Sequence, residues 1–325
     1  MKLKITAKSI KLAASIIKNG GLVAFPTETV YGLGANALDK KSVLKIFKVK
    51  GRPADNPLIV HIADKNEIYS LAKKIPQVAK KLIDKFWPGP LTLVLEKKSI
   101  VPKEVSAGGK TVAIRMPNHK IALALIRAAG MPIAAPSANI SGHPSPTTAQ
   151  HVAEDFEDKI DLILDGGRTS VGVESTVVDM TVFPPVVLRQ GGLSLENLKK
   201  IIPEITSRVK KRTGIAKSPG MKYRHYAPRA PLILAGKNIQ KFIDRQHDKK
   251  VGVLASKETA SKYKGAFKIF ILGSRKNPEE CAWNLFTMLR RFDRFKVDII
   301  IAEVFPEKGL FVAVMDRLRK ASAGR

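Results

Sequence analysis

A chain of 325 residues is long for one domain and comfortable for two, and 44% hydrophobic residues suffice for real cores. Its single cysteine, Cys281, excludes a disulfide framework and a cysteine-built zinc site, and no stretch is apolar and uncharged for long enough to span a membrane or serve as a signal peptide, so a cytoplasmic protein with no membrane partner is expected. The net charge of +29 draws in polyanions and anionic ligands and permits nucleic acid without proving it; eight Lys and Arg residues, with no acid among them, crowd between Arg208 and Arg229.

In chain order, Ala7 to Asn19 reads as a first helix, with Ile10, Ala13, Ala14 and Ile17 on one face and Gly20 as its stop. The apolar run Leu22 to Phe25 reads as a short buried strand that Pro26 ends, leaving Thr27, Glu28 and Thr29 at the strand end. Gly32 and Gly34 suggest a glycine turn. The near match GLGANA to a dinucleotide fingerprint lacks the expected strand-turn-helix context. Val43, Leu44, Ile46 and Phe47 mark a helix that delivers Lys50 and Arg52 to a turn ended by Pro53. From Leu58 to Ile62 the chain is strand-like and apolar on both faces except for His61, as in a strand covered on both sides. Taken singly, the two cations read as solvated and the histidine as a core residue; their company sets them apart.

Asn66 to Phe86 is helical by pattern, interrupted near Pro76, and WPGP at Trp87 to Pro90 ends it before the strand Leu91 to Leu95. The loop Val101 to Lys110 holds GGKT, but a phosphate loop would need glycine where Glu104 stands and a helix to follow, so that reading is rejected. The strand Thr111 to Arg115 places a guanidinium at a sheet edge where ligands commonly bind. After a helix from Lys120 to Ala129 and the strand Pro132 to Ala135 comes PSANISGHPSPTT. Its Ser137, Asn139, Ser141, Ser145 and Thr147 form a hydroxyl and amide cluster with many donors for phosphate or ribose oxygens. His143 and His151 fit no metal-ligand spacing and read as solvent-exposed loop residues. Ile160 to Asp165 is a further strand, ESTVVDM starts the next with Ser175, and Pro185 to Leu188 leads to Arg189 beside the flexible QGG. The helix Ser194 to Ile202 closes this part of the chain, and no Ser-His-Asp order or isolated carboxylate pair suggests hydrolysis.

A basic linker then interleaves Lys222, Tyr223, Arg224, His225 and Tyr226, a pattern that suits stacking on bases and equally a basic tether. Beyond Pro231, strands at Leu232 to Ala235, Val251 to Ala255, Lys268 to Leu272 and Asp298 to Glu303 alternate with helices, which predicts a parallel, doubly wound sheet. The helix Pro278 to Phe295 carries Trp283, Leu285, Phe286 and Leu289 as core. This divides the chain into residues 1–207, a linker 208–230 and a smaller domain 231–325.

The segments FPTETVYGLG, KGRPADNPLIVHI, FWPGPLTLVL, VAIRMPNH, PIAAPSANISGHPSPTT, ESTVVD and VLRQG, in that order, resemble the threonylcarbamoyl-AMP synthase family of YrdC-type proteins. They cover most of the first 200 residues, and SPGMKYRHYAPRAP is similar to the linker of its two-domain members, with Ala227 in place of the usual serine. The resemblance implies an α/β fold: a YrdC-like twisted mixed sheet with a large cavity, plus a Rossmann-like C-terminal domain. It implies synthesis of threonylcarbamoyladenylate from L-threonine, bicarbonate and ATP, with Mg²⁺ carried on the nucleotide, for tRNA modification beside the anticodon. By the same resemblance Thr29, His61, Arg115 and Ser175 hold threonine. Lys50, Arg52, Asn56, Thr111, Ser137, Asn139, Ser145, Arg189 and Tyr226 contact ATP, Lys50 and Arg52 being catalytic. All should line one cavity, with the linker around Tyr226 at its mouth. Hand-over to a tRNA threonylcarbamoyl transferase and direct tRNA contact stay open, as does the competing class of an RNA-binding module without catalysis. Related carbamoyl-transfer domains of hydrogenase maturation carry zinc-finger cysteines and an acylphosphatase segment, both absent here.

Overall fold

The computed structural model describes residues 1–156, 158–207, 225–236, 238–246 and 248–322, which fall into two compact units. Most of the linker, residues 208–224, lies outside them. The first unit comprises Met1–Ser141, Pro146–Ser170 and residues 174–207; the second comprises Gly142–Ser145, Val171–Val173 and the described residues from 225 onward.

The first unit begins with strand β1 (Lys2–Lys4) and helix α1 (Ala7–Lys18), followed by β2 (Val23–Phe25), β3 (Gly32–Asn36), α2 (Lys40–Lys50) and β4 (Ile59–His61). Next come α3 (Ile68–Leu71), α4 (Gln77–Phe86), β5 (Leu91–Glu96), β6 (Thr111–Arg115), α5 (Lys120–Ala129), β7 (Ile133–Ala134) and α6 (Ala149–Phe156). The unit ends with β8 (Leu162–Asp165), β9 (Thr176–Asp179), β10 (Val186–Arg189) and α7 (Leu195–Lys199). The strands run in the order β1-β8-β2-β3-β7-β4-β6-β5-β9-β10 and mix parallel with antiparallel neighbours.

Alternation along the strands sorts side chains to two faces. Val23, Phe25, Ile133, Leu162 and Leu164 join Ala13, Ile17, Leu125 and Ile126 in one buried cluster, so α1 and α5 cover that face. Ala24, Ala134 and Ile163 point the other way, into the larger core with Val43, Ile46, Leu82 and Phe156 from α2, α4 and α6. Burying each large aliphatic side chain here contributes about 1.5–3 kcal/mol. Helix α1 starts where Thr6 and Ser9 cap each other, the Ser9 amide donating to Thr6 Oγ1 at 3.0 Å and the Thr6 amide to Ser9 Oγ at 2.9 Å.

The second unit contains β11 (Leu232–Ala235), α8 (Ile239–Asp244), β12 (Val251–Ser256), β13 (Lys268–Gly273), α9 (Pro278–Phe295), β14 (Ile299–Glu303) and α10 (Phe311–Ser322). Its sheet runs β11-β14-β12-β13 and is parallel throughout, as strand-helix alternation predicts. At the carboxyl ends of these strands three carboxylates take up the loop amides. Glu303 accepts from the Ser256 amide and from Tyr263 Oη, Thr259 Oγ1 and Arg275 Nη1; Glu280 accepts from the Ser274 amide; Glu258 accepts from the Arg275 amide.

Several sequence expectations need correction. GLGAN is an interior strand rather than a glycine turn: a Cβ on Gly34 would lie 2.7 Å from Phe25 Cε1 and 2.8 Å from Ile133 Cγ2, so this glycine supplies space. The interruption expected near Pro76 is present: the stretch 66–86 forms two helices, α3 and α4, with Pro76 at the N-cap of the second, and only the start of the first differs. Strand β1 and helix α6 were not anticipated. His151 is not an exposed loop residue: it is buried on α6, where its Nδ1 meets the Thr147 amide at 3.3 Å. Trp283 is 36% exposed and therefore not core, whereas Leu285, Phe286 and Leu289 are. Arg115 ends a strand in the interior of the sheet, between β4 and β5, not at a sheet edge.

Candidate functional site

Helix α2 is the first element to position a candidate group. It closes on Gly51, whose left-handed φ of 59° lets the Arg52 amide reach back to the Phe47 carbonyl at 3.0 Å. The turn leaves Lys50 facing inward and sends Arg52 onward. Lys50 is 2% exposed, and its Nζ donates to the carbonyls of Ser137, at 2.6 Å, and Asn139. The Ser141 amide returns a bond to the Lys50 carbonyl at 2.9 Å, so the helix end and the SAN loop hold each other. Arg52 folds over the backbone ahead of β4, donating from Nη2 to the carbonyls of Asn56 at 3.2 Å and Pro57 at 3.0 Å. Five of the residues expected at a nucleotide, Lys50, Ser137, Asn139 and the pair Arg52–Asn56, are thus fixed by backbone contacts.

The second group is assembled by strand register. His61 on β4 pairs with Arg115 on β6, which pairs with Thr92 on β5, so the three side chains share one face. Thr92 Oγ1 lies 2.7 Å from Ser175 Oγ, and Arg189 caps the row by donating to the Ser175 carbonyl from Nε, at 3.1 Å, and Nη2, at 2.9 Å. Residues scattered from 61 to 189 are therefore direct neighbours. The same face continues into a small buried apolar cluster of Ile59, Val94, Ala113 and Val177, separate from both large cores. Thr111 lies on that face at the other end of β6, about 13 Å from Arg115 at roughly 3.3 Å per residue, the end at which the parallel strand β4 also begins. An apolar floor thus runs between Arg52, Asn56 and Thr111 at one end and His61, Arg115 and Ser175 at the other.

Thr29 is fully buried, its hydroxyl 2.8 Å from that of Thr27. Ser145 and Tyr226 belong to the second unit. There Ser145 is buried, and Tyr226 takes a left-handed φ of 64° and stacks on Phe286 with ring centroids 5.3 Å apart. The expectation that the linker closes over the pocket falls largely on residues 208–224, outside the described residues.

Sequence reading placed Glu28 at a strand end but assigned it no role. Its Oε1 lies 2.7 Å from Arg115 Nη2, with both side chains buried. Thr92 and the Gly89 carbonyl, which accepts from Arg115 Nε at 3.3 Å, were also missed. Only pairing between distant strands reveals them.

Electrostatics sharpen the picture. Burial, with the Arg115 guanidinium adding to it, pushes the His61 imidazole down to about 3, so it is neutral at physiological pH. Its Nδ1 and the Asn56 Oδ1 are buried and have no hydrogen-bond partner among the described residues. Buried polar atoms are almost always satisfied, so a vacant donor or acceptor at each end of the floor fits a ligand that bonds there. Among the described residues no three His, Cys, Asp or Glu side chains are grouped to hold a metal ion, and no helix is long and apolar enough to cross a membrane.

The family model described as telomere recombination, which joins Sua5, YciO and YrdC, matches residues 15–191. The chain belongs to this Sua5/YciO/YrdC family. A second model, the threonylcarbamoyl-AMP synthase C-terminal domain, matches residues 193–323, which makes this a two-domain Sua5-type member. The chain is 54% identical to threonylcarbamoyl-AMP synthase of Pyrococcus abyssi, over 99% of its own length and 96% of that protein's, and 49% identical to that of Bacillus subtilis over 97% and 93%. The crystal structure of P. abyssi Sua5 complexed with L-threonine superposes with a TM-score of 0.93 at 53% identity, covering 99% of this chain and 97% of that one. Escherichia coli YciO, at 27% identity and a TM-score of 0.55, covers 59% of this chain and 95% of its own, the share expected of a single-domain relative.

Proposed function

We propose that the chain makes threonylcarbamoyl-AMP, as a nucleotidyltransferase acting on L-threonine, bicarbonate and ATP and releasing pyrophosphate and water, for tRNA modification beside the anticodon. The observation that supports this best is the row His61, Arg115, Ser175 and Arg189, buried at one end of the apolar floor, in a chain that shares 53% of its residues with a threonine-bound neighbour.

In this reading the Arg115 guanidinium takes the threonine carboxylate, with neutral His61, Thr29 and Ser175 supplying hydrogen bonds. Arg52, Asn56 and Thr111 address the nucleotide from the other end of the floor, with Ser137 and Asn139 on the loop that Lys50 braces. Arg189 adds positive charge where the two substrates meet. The threonine amine is carboxylated to a carbamate, whose oxygen attacks the α-phosphate and expels pyrophosphate. The carbamate, the triphosphate and the departing pyrophosphate are all anionic, so the protein lowers the barrier by positioning and charge stabilisation, and needs no nucleophile of its own. Mg²⁺ would be held through the phosphates beside Lys50 and Arg52 and would supply charge neutralisation there, the described residues grouping no three His, Cys, Asp or Glu side chains into a cage of their own.

Incubation with ATP, threonine and bicarbonate should release pyrophosphate in a threonine-dependent way. Turnover without threonine dependence would sink the reading. Tight RNA binding that falls steeply with salt and is accompanied by no turnover would favour the RNA-binding alternative.

A further inference from the structure

Glu28 is a buried acid in direct contact with Arg115 at the amino-acid end of the floor, and the proposed chemistry leaves its carboxylate unused. Its side chain is 7% exposed and that of Arg115 is 4% exposed, and the pair approach to 2.7 Å. The contact is one of charge rather than an aligned hydrogen bond: neither Oε1 nor Oε2 of Glu28 receives a hydrogen bond from the described residues, and Arg115 Nη2 donates none. A buried carboxylate ordinarily accepts several hydrogen bonds, so this one is short of donors. Arg115 itself is held elsewhere, through Nε to the Gly89 carbonyl. Among the described residues His119, on the N-cap of α5, also interacts with Glu28; burial pushes it towards its neutral form although Glu28 opposes the shift. Neutral His119 does not meet the demand either, since its buried Nδ1 makes no hydrogen bond among the described residues.

An α-amino acid carries an anion and a cation on one carbon. Arg115 and Glu28, side by side, present the complementary pair. We propose that Glu28 binds the α-ammonium group of the amino-acid substrate, its carboxylate oxygens accepting the N–H bonds while Arg115 takes the carboxylate. The assignment rests on the functional reading above for the identity of the amino acid, and on the geometry of Glu28 and Arg115 for the contact. Glu28 then becomes a specificity residue that selects substrates with a free amino group. A site whose buried acceptor loses its donor discriminates strongly against the analogue that lacks it.

The test is calorimetric titration of the full chain with L-threonine and with its 2-hydroxy analogue, in which a hydroxyl replaces the amino group. The unmodified chain should prefer threonine by about tenfold or more, as expected for a charge-assisted hydrogen bond. Glu28→Gln should weaken threonine by a similar factor while leaving the analogue within about twofold, so the preference collapses. Equal weakening of both ligands would mean that Glu28 acts only through Arg115 and would overturn the proposal, as would no change in either. If Glu28→Gln does not fold, the unmodified chain decides alone: equal affinity for threonine and the analogue rules the contact out. A chain that requires the amino group but prefers another amino acid keeps the Glu28 assignment and removes threonine from the functional reading; a chain that binds no α-amino acid removes both.

Discussion

Lys50 and Asn139 stand 89 residues apart in the sequence, and the Lys50 ammonium donates to the Asn139 carbonyl. With its second bond to Ser137, Lys50 is the post on which the SAN loop rests. Lys50→Met should therefore cost stability as well as turnover. Each buried carbonyl left without its donor costs about 1–3 kcal/mol, so the melting temperature should drop by roughly 5 °C or more. Arg52→Ala should behave differently. Arg52 is only half-buried, and water can take its place on the two carbonyls it leaves, so turnover should vanish with a thermal shift of no more than about 2 °C. Thermal melts paired with pyrophosphate release check both, and equal thermal losses in the two variants would contradict the distinction.

His61 gives the chain a signature in acid. Its imidazole falls from 6.5 when unfolded to about 3 when folded, so between those values the unfolded chain holds a proton that the native chain does not. Stability therefore rises with pH across that window and is lost as pH falls from about 6.5 towards 3, by up to about 1.4 kcal/mol per pH unit from this residue. Urea denaturation at pH 7, 6, 5 and 4 should show a shallower acid decline for His61→Asn than for the unmodified chain. Parallel declines would show that His61 does not titrate in this way.

Gly34 should tolerate no side chain. A methyl there meets Phe25 and Ile133 at 2.7 and 2.8 Å, and β3 is hemmed in by β2 and β7, so Gly34→Ala should destabilise by about 1–3 kcal/mol. A thermal melt measures it; an unchanged melting temperature would mean the strand can shift.

Elements that announce themselves by local pattern were legible in the sequence. The runs Thr111 to Arg115, Lys120 to Ala129 and Pro278 to Phe295 coincide with the observed elements, because periodicity and caps are properties of neighbouring residues. Strand β3 was not, since glycines carry no alternation to read. His151 looked exposed because its motif is loop-like, whereas the helix that buries it begins only two residues earlier, at Ala149. For the site, the resemblance named His61, Arg115, Ser175 and Arg189, but their adjacency is decided by which strands pair. Thr92 and Glu28 had no local signal at all: one is an ordinary β-branched strand residue, the other an acid in a short polar turn. Their meaning appears only when β6 lies between β4 and β5.

The second unit carries a consequence for stoichiometry. Its parallel sheet has the topology that ordinarily receives a nucleotide at the carboxyl ends of the strands. There the amides of Ser256, Ser274 and Arg275 already serve Glu303, Glu280 and Glu258. An arriving phosphate would find these donors taken and the nearby Lys257 and Arg275 already paired with Glu280 and Glu303, so an ATP titration should saturate at a single equivalent per chain.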